Sequence, residues 1–197
     1  MNVVAQNINS EVADKIVFKI TEFLGSDELE KCIIIPKSEL THGCCDAYLS
    51  KRTLLMQLGI CTEYKTEMKT IVFRARSNSE KYIVAFHIPA TIKLPALKNG
   101  KFNFQALIEI INSHSESKKF THLNYHPNLI HGCLNPIDLS INHKNIIHFF
   151  HVSYIEDPTV KYITTNAGMK NYGVVLNVQQ IFKAFTKKNI NYFIINF

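Results

Sequence analysis

Residues 69–88 read KTIVFRARSNSEKYIVAFHI. Two runs rich in β-branched and aromatic side chains, Thr70-Ile71-Val72-Phe73 and Tyr82-Ile83-Val84-Ala85-Phe86, flank the polar segment RARSNSEK. Such runs on either side of a polar turn predict an antiparallel hairpin, and the rest of the chain is built around it.

Upstream, Val12, Ala13, Ile16, Val17, Ile20, Phe23 and Leu24 recur at helical spacing and Gly25 follows as a helix stop. Cys32-Ile33-Ile34-Ile35-Pro36 reads as a short strand, and a second helix is expected from Asp46 through Leu49, Leu54, Leu55 and Leu58 to Gly59. Downstream, Asn103 is placed to cap a helix carrying Phe104, Leu107, Ile108 and Ile111. From Phe120 to Ser140 the periodicity breaks up, and a long irregular stretch inside a small domain is more often functional than accidental. Strands are expected at Ile146–Val152, Val160–Thr164 and Val174–Leu176, with the turn Asn166-Ala167-Gly168 between the last two. Asn177 with Gln180 resembles a capping box for a final helix bearing Ile181, Phe182 and Phe185.

Short strands with helices scattered among them indicate an α/β (α+β) fold, a single domain over residues 1–197. Its later strands are joined by turns, so the mixed sheet should be largely antiparallel, with flanking helices. Neither G-x-G-x-x-G nor G-x-x-x-x-G-K occurs.

With 46% hydrophobic and 19% charged residues in 197, the chain has material for a core, which excludes a disordered tail. No apolar run approaches the roughly 20 residues of a membrane-spanning helix, and MNVVAQNINS lacks the pattern of a secretory signal. A soluble cytoplasmic protein is expected. Twenty-two basic against 16 acidic residues give a net charge of +6, and only Arg52, Arg74 and Arg76 are arginine. A lysine-rich surplus suits loose contact with a phosphate backbone better than reading of base edges. It also serves simply to keep a small domain soluble.

The five cysteines (Cys32, Cys44, Cys45, Cys61 and Cys133) are odd in number and contain no C-x-x-C, which fits reduced thiols rather than a disulfide framework. Nine histidines invite a metal reading. Yet His122 and His126 are followed by Pro127, and neither they, His131 with Cys133, nor His42 with Cys44 and Cys45 match a zinc pattern. No metal and no cofactor is expected. Cys133 lies two residues from His131, but sequence neighbours seldom have the geometry of a nucleophile and its base. In Gly132-Cys133-Leu134-Asn135-Pro136, by contrast, Gly and Pro bracket a loop able to present consecutive backbone N–H groups to a carbonyl oxygen or carboxylate. Lys69, opening its strand, reads either as an edge charge or as a point charge for a phosphate.

In their order and separation these pieces resemble the YbaK/prolyl-tRNA-synthetase-associated domain family. The pieces are the N-terminal helix, CIIIPKS, Lys69-Thr70-Ile71-Val72, YIVAFHI, the G-x-x-x-P loop 132–136, and YITTNAG before VVLNVQQIFKAF. The resemblance spans about residues 12–187. It implies one α/β domain with a central pocket, and removal of wrongly attached amino acids from tRNA, with no cofactor. It implies that Lys69 contacts the phosphate or terminal adenosine of the acceptor end. Gly132 and Pro136, with Cys133, Leu134 and Asn135 between them, would hold the aminoacyl group, and Asn166 and Gly168 would form the pocket rim. The implied partners are the tRNA acceptor end and prolyl-tRNA synthetase, in trans or as a fused domain. The implied substrate is prolyl tRNA carrying a small wrong amino acid such as alanine.

Ester hydrolysis needs a positioned water and oxyanion donors, so a missing Ser/His/Asp set is no objection. The sequence departs from relatives in carrying Ile137-Asp138 after the proline in place of Phe-Gly, and Met169-Lys170-Asn171 after N-A-G in place of a histidine. An acid is expected on the strand before that turn, with Glu156 or Asp157 as candidates. The alternative to an enzyme is a non-catalytic tRNA-binding or synthetase-associated module of the same fold.

Overall fold

The computed structural model describes residues 10–25, 33–36, 52, 55–57, 59, 66–116, 118–126, 134–169 and 172–197. Helix α1 (Ser10–Leu24) buries Ala13, Ile16, Ile20, Phe23 and Leu24 along one stripe, as its spacing demands. It ends at Gly25, whose N–H reaches back to the Thr21 carbonyl at 2.8 Å and whose φ of +94° is that of a helix-terminating glycine. Strand β1 (Ile33–Pro36) follows. The helix expected over 46–58 lies mostly outside the described residues.

The anticipated hairpin forms as β2 (Met68–Ser77) and β3 (Glu80–Pro89), paired without interruption from Met68 opposite Pro89 to Ser77 opposite Glu80. Asn78 takes a positive φ in its turn, a conformation asparagine tolerates better than most residues. Helix α2 (Phe104–His114) begins where the Asn103 side chain accepts from the Ala106 N–H at 3.2 Å, the expected cap. Strand β4 (Phe120–Tyr125) occupies part of the stretch read as irregular. A register shift in its pairing at Arg76/Ser77 turns both Phe120 and Leu123 inward though they stand three apart. That bulge hides the strand's alternation.

Helix α3 (Pro136–Asn142), β5 (Ile146–His151), the single turn α4 (Ser153–Glu156), β6 (Tyr162–Asn166), β7 (Tyr172–Asn177), α5 (Val178–Lys187) and β8 (Tyr192–Ile195) complete the order. Asn177 caps α5 by accepting from the Gln179 N–H at 2.9 Å. Gln180 Oε1 has no partner among the described residues, so the reciprocal half of the expected capping box does not form.

The strands divide into two sheets. One runs β1-β7-β6, all antiparallel; the other runs β4-β2-β3-β5-β8. Its β4-β2-β3 part is antiparallel, whereas β3-β5 and β5-β8 are parallel. The fold is therefore a mixed α+β domain with flanking helices, as the sequence predicts. The last strand explains why the ending NINYFIINF is apolar: Ile195 is buried beside β5.

Helix α2 covers one face of the larger sheet, where Leu107 and Ile111 pack with Phe73, Phe86 and Phe149. Full burial of each aliphatic side chain stabilises by about 1.5–3 kcal/mol. Helices α1 and α5 join the two sheets: Phe23 meets Phe185 edge-on at 5.8 Å, within a cluster holding Ile34, Ile163 and Val174 of the smaller sheet and Phe150 of the larger. Helix α3 covers only part of the second face, over Val72, Ala85 and Ile146. The uncovered remainder of that face is where polar chemistry collects.

Candidate functional site

Three motifs far apart in sequence converge in the fold. Met68, Ile137 and Ala167, the immediate neighbours of Lys69, Pro136 and Gly168, are all buried in one hydrophobic cluster. Asn135 caps α3, its carbonyl accepting from the Asp138 N–H at 2.9 Å while its amide donates to the Asp138 carboxylate. Asp138 also pairs with Lys19 of α1 and lies against Gly168 of the N-A-G turn. A short parallel bridge joins Glu67 to Thr164, with a hydrogen bond from the Thr164 hydroxyl to the Glu67 carboxylate. Lys69 and Asn166 each follow two residues later. Lys69 is half-buried, and its ammonium lies 3.5 Å from the Ala90 carbonyl.

Of the residues singled out from sequence, Asn135 and Gly168 thus meet through Asp138, Lys69 and Asn166 each stand two residues beyond the Glu67–Thr164 bridge, and Leu134 lines a small cavity. Gly132 and Cys133 lie outside the described residues, as do the other four cysteines, His42 and His131. The acid expected before the N-A-G turn is neither of its candidates. Glu156 ends α4 exposed, and Asp157 accepts from the backbone and hydroxyl of Thr159 at 2.9 and 2.6 Å, because Pro158 delays the strand to Tyr162. The carboxylate that reaches that strand is Glu67, buried and supplied from β2's side. Among the described residues no three His, Cys, Asp or Glu side chains gather as metal ligands. No helix among them is long and apolar enough to cross a membrane.

Two cavities meet at Tyr125 and His126. The smaller, about 190 Å³, is lined by Thr70, Ile71, Val72, Phe102 and Leu134 besides those two. Its aromatic wall is the stacked pair Phe102–Tyr125, with centroids 6.1 Å apart. Leu134 brings the G-x-x-x-P segment to it. Behind Thr70 runs a buried polar chain: Thr70 Oγ1 to His87 Nδ1 at 3.0 Å, His87 Nε2 to His148 Nδ1 at 2.8 Å, and His148 Nε2 to Ser140 Oγ at 3.0 Å. Both rings are fully enclosed, His87 stacking on Phe150 at 4.5 Å and His148 meeting Phe185 at 4.8 Å. Burial holds His148 down to about 3 and pushes His87 well below the usual histidine range, so both are neutral at pH 7.

The larger cavity, about 890 Å³, lies on the sheet face beyond α3. Its lining includes Arg74, Arg76, Lys81, Lys144, His122 and His143, and no Asp or Glu. Register places Arg76 between Lys81 on β3 and His122 on β4, and Arg74 between Ile83 and Asn124. Like charges directly opposite across strands repel. Among the described residues the ion pairs are Lys15–Glu11 and Lys19–Asp138, so no carboxylate neutralises this row. Partial burial, then Arg74 and His143, lowers the pKa of His126, and burial lowers that of His143. The cleft's positive charge therefore rests on its arginines and lysines. Sequence reasoning missed this feature by weighing the rarity of arginine. The available signal was the i,i+2 spacing of Arg74 and Arg76, which puts both on one strand face.

No family model matches the chain, and no curated protein does. Solved structures do. One comes from work on "Epitope backbone grafting by computational design for improved presentation of linear epitopes on scaffold proteins" (TM-score 0.51, 9% identity, 90% of this chain and 95% of that one). Another is the hypothetical protein APE2540 (TM-score 0.47, 15% identity, 85% and 94%). A third is described as "a putative trans-editing enzyme for prolyl tRNA synthetase" (TM-score 0.46, 10% identity, 92% and 95%). The first likeness is one of fold.

Proposed function

We propose that this protein is an aminoacyl-tRNA deacylase that edits mischarged tRNA, acting on prolyl tRNA carrying a small amino acid such as alanine. The observation that carries the reading is a small pocket lined by Thr70 and Leu134, the sequence neighbours of Lys69 and Asn135, which shares Tyr125 and His126 with a basic cleft. A single phosphate site would need one cation. The larger cavity instead holds several cations in a row, with no carboxylate beside them among the described residues, as contact with a polyanionic backbone requires.

In this reading the acceptor stem lies along Arg74, Arg76 and Lys81, and Lys69 holds the phosphate or terminal adenosine. The aminoacyl group enters the smaller pocket, which at about 190 Å³ is below the range of drug-sized sites and suits a short side chain. Water adds to the ester carbonyl, and backbone N–H groups of the 132–136 loop stabilise the oxyanion. The bond to the ribose oxygen then breaks, releasing the amino acid and an intact tRNA 3′ end. The adjacent ribose hydroxyl can relay the proton to the departing oxygen, so no protein nucleophile is required. Incubation with alanyl-, cysteinyl- and seryl-tRNA, followed by release of the amino acid, tests this. Survival of every ester alongside retained tRNA binding would select the non-catalytic module instead.

A further inference from the structure

The chain of buried groups behind the smaller pocket has a fixed direction. Ser140 Oγ lies 2.7 Å from the Pro136 carbonyl, which can only accept, so the Ser140 proton is committed there. Ser140 must then accept from His148, which places a proton on His148 Nε2. A neutral His148 leaves Nδ1 bare, and it accepts from the Nε2–H of His87. A neutral His87 in turn leaves its own Nδ1 bare, and the only proton that fills the link is that of the Thr70 hydroxyl. Every link is spent in one direction, from Thr70 on β2 to Pro136 at the start of α3. The reverse order would bring two acceptors, Ser140 Oγ and the Pro136 carbonyl, to 2.7 Å with no proton between them.

We propose that this directed chain makes Thr70 an obligate hydrogen-bond acceptor in the wall of the smaller pocket, so that the site selects a ligand presenting a donor there, the protonated α-amine of an aminoacyl group. The editing reading supplies the identity of the ligand; the direction of the chain stands on the bond geometry and on the full enclosure that keeps both rings neutral. Thr70 lines the pocket with Leu134; Ile71, Val72 and Phe102 offer no polar side-chain atom there, and the remaining lining residues, Tyr125 and His126, contribute a hydroxyl and an imidazole. A group with only lone pairs meets lone pairs at Thr70 and is rejected. The two histidines touch no substrate; they are positioning residues whose tautomers set the polarity of Thr70.

Two measurements decide this. In the ring ¹⁵N spectrum of the whole protein at pH 7, both histidines should carry the proton on Nε2 with Nδ1 bare. A proton on Nδ1 of either ring overturns the proposal. Binding is then compared for 3′-deoxy-3′-(L-alanylamino)adenosine and its 3′-propionylamino counterpart, which lacks the amine. The native protein should prefer the alanyl compound by about tenfold or more, the effect of one charge-assisted hydrogen bond. Thr70→Val should remove the preference and Thr70→Ser should restore it. Equal binding of both probes by the native protein, or a preference that survives Thr70→Val, overturns the proposal. Should Thr70→Val fail to fold, the ring tautomers of the native protein decide. If neither probe binds while the tautomers are as stated, the editing reading falls and takes the assigned ligand with it, whereas the wrong tautomers condemn the chain alone.

Discussion

Gly168 and Asp138 are packed so closely that a Cβ at Gly168 would stand 1.9 Å from Asp138 Oδ2. Gly168 also adopts a φ of +76°, which side-chain-bearing residues rarely take. The N-A-G turn can therefore close on α3 only because position 168 is glycine. The same carboxylate binds Lys19 and Asn135, so this one contact ties α1, α3 and the turn together.

Gly168→Ala should accordingly destabilise the protein by about 2–4 kcal/mol, combining the backbone conformation with the clash. Urea unfolding measures it. In the Asp138→Ala background the clash is gone, so the added effect of Gly168→Ala should shrink to about 1–2 kcal/mol. Simple additivity of the two substitutions would show that the close approach carries no energy.

Arg74→Ala and Arg76→Ala should each weaken tRNA binding and reduce the slope of log affinity against log salt by about 1, while leaving thermal stability unchanged or raised. The stability gain follows, for Arg76, from relieving its repulsion with Lys81 directly opposite. Binding measured between low and physiological salt checks this; an unchanged slope would remove the cleft from the RNA path.

The buried histidine pair fixes the sign of the acid response. The folded state holds both pKa values below the usual 6.5, His148 at about 3, so the unfolded chain takes up protons that the native rings refuse. The stability contribution is complete above pH 6.5 and is lost as pH falls below it, down to about 3 in the case of His148. Each ring contributes a slope of up to about 1.4 kcal/mol per pH unit. Denaturant unfolding at pH 7.5, 6 and 5 should give steadily falling stability. A flat profile would mean that the rings are not enclosed as described.

The elements legible in the sequence were those whose burial follows one period. Ile16, Ile20 and Phe23 mark α1 at helical spacing, and the two apolar runs mark β2 and β3. Strand β4 was not legible, because the shift at Arg76/Ser77 puts Phe120 and Leu123 on the same side at an odd spacing. Strand β8 was hidden because it pairs in parallel with a strand some forty residues away, a contact with no local signature. The order of the site motifs could be read, but not what holds them together. Asp138 read as a departure from relatives; in the fold it is the group to which Lys19, Asn135 and Gly168 are fitted. The His87–His148 chain was illegible for the same reason: its members are 61 residues apart and meet only when β3 and β5 pair.

Lys69 offers the most direct test of the central claim. Its strand is tied to the N-A-G strand through Glu67 and Thr164, and its charge is the one assigned to the acceptor end. The measurement is the rate of alanine release from alanyl-tRNA bearing the prolyl anticodon, for the native protein and for Lys69→Ala. Native protein should release alanine and leave the tRNA intact, and Lys69→Ala should be slower by about a hundredfold or more, the scale of losing one charge-stabilising contact in a reaction site. Alanyl-tRNA that survives the native protein, or equal rates for the two proteins, would contradict the account.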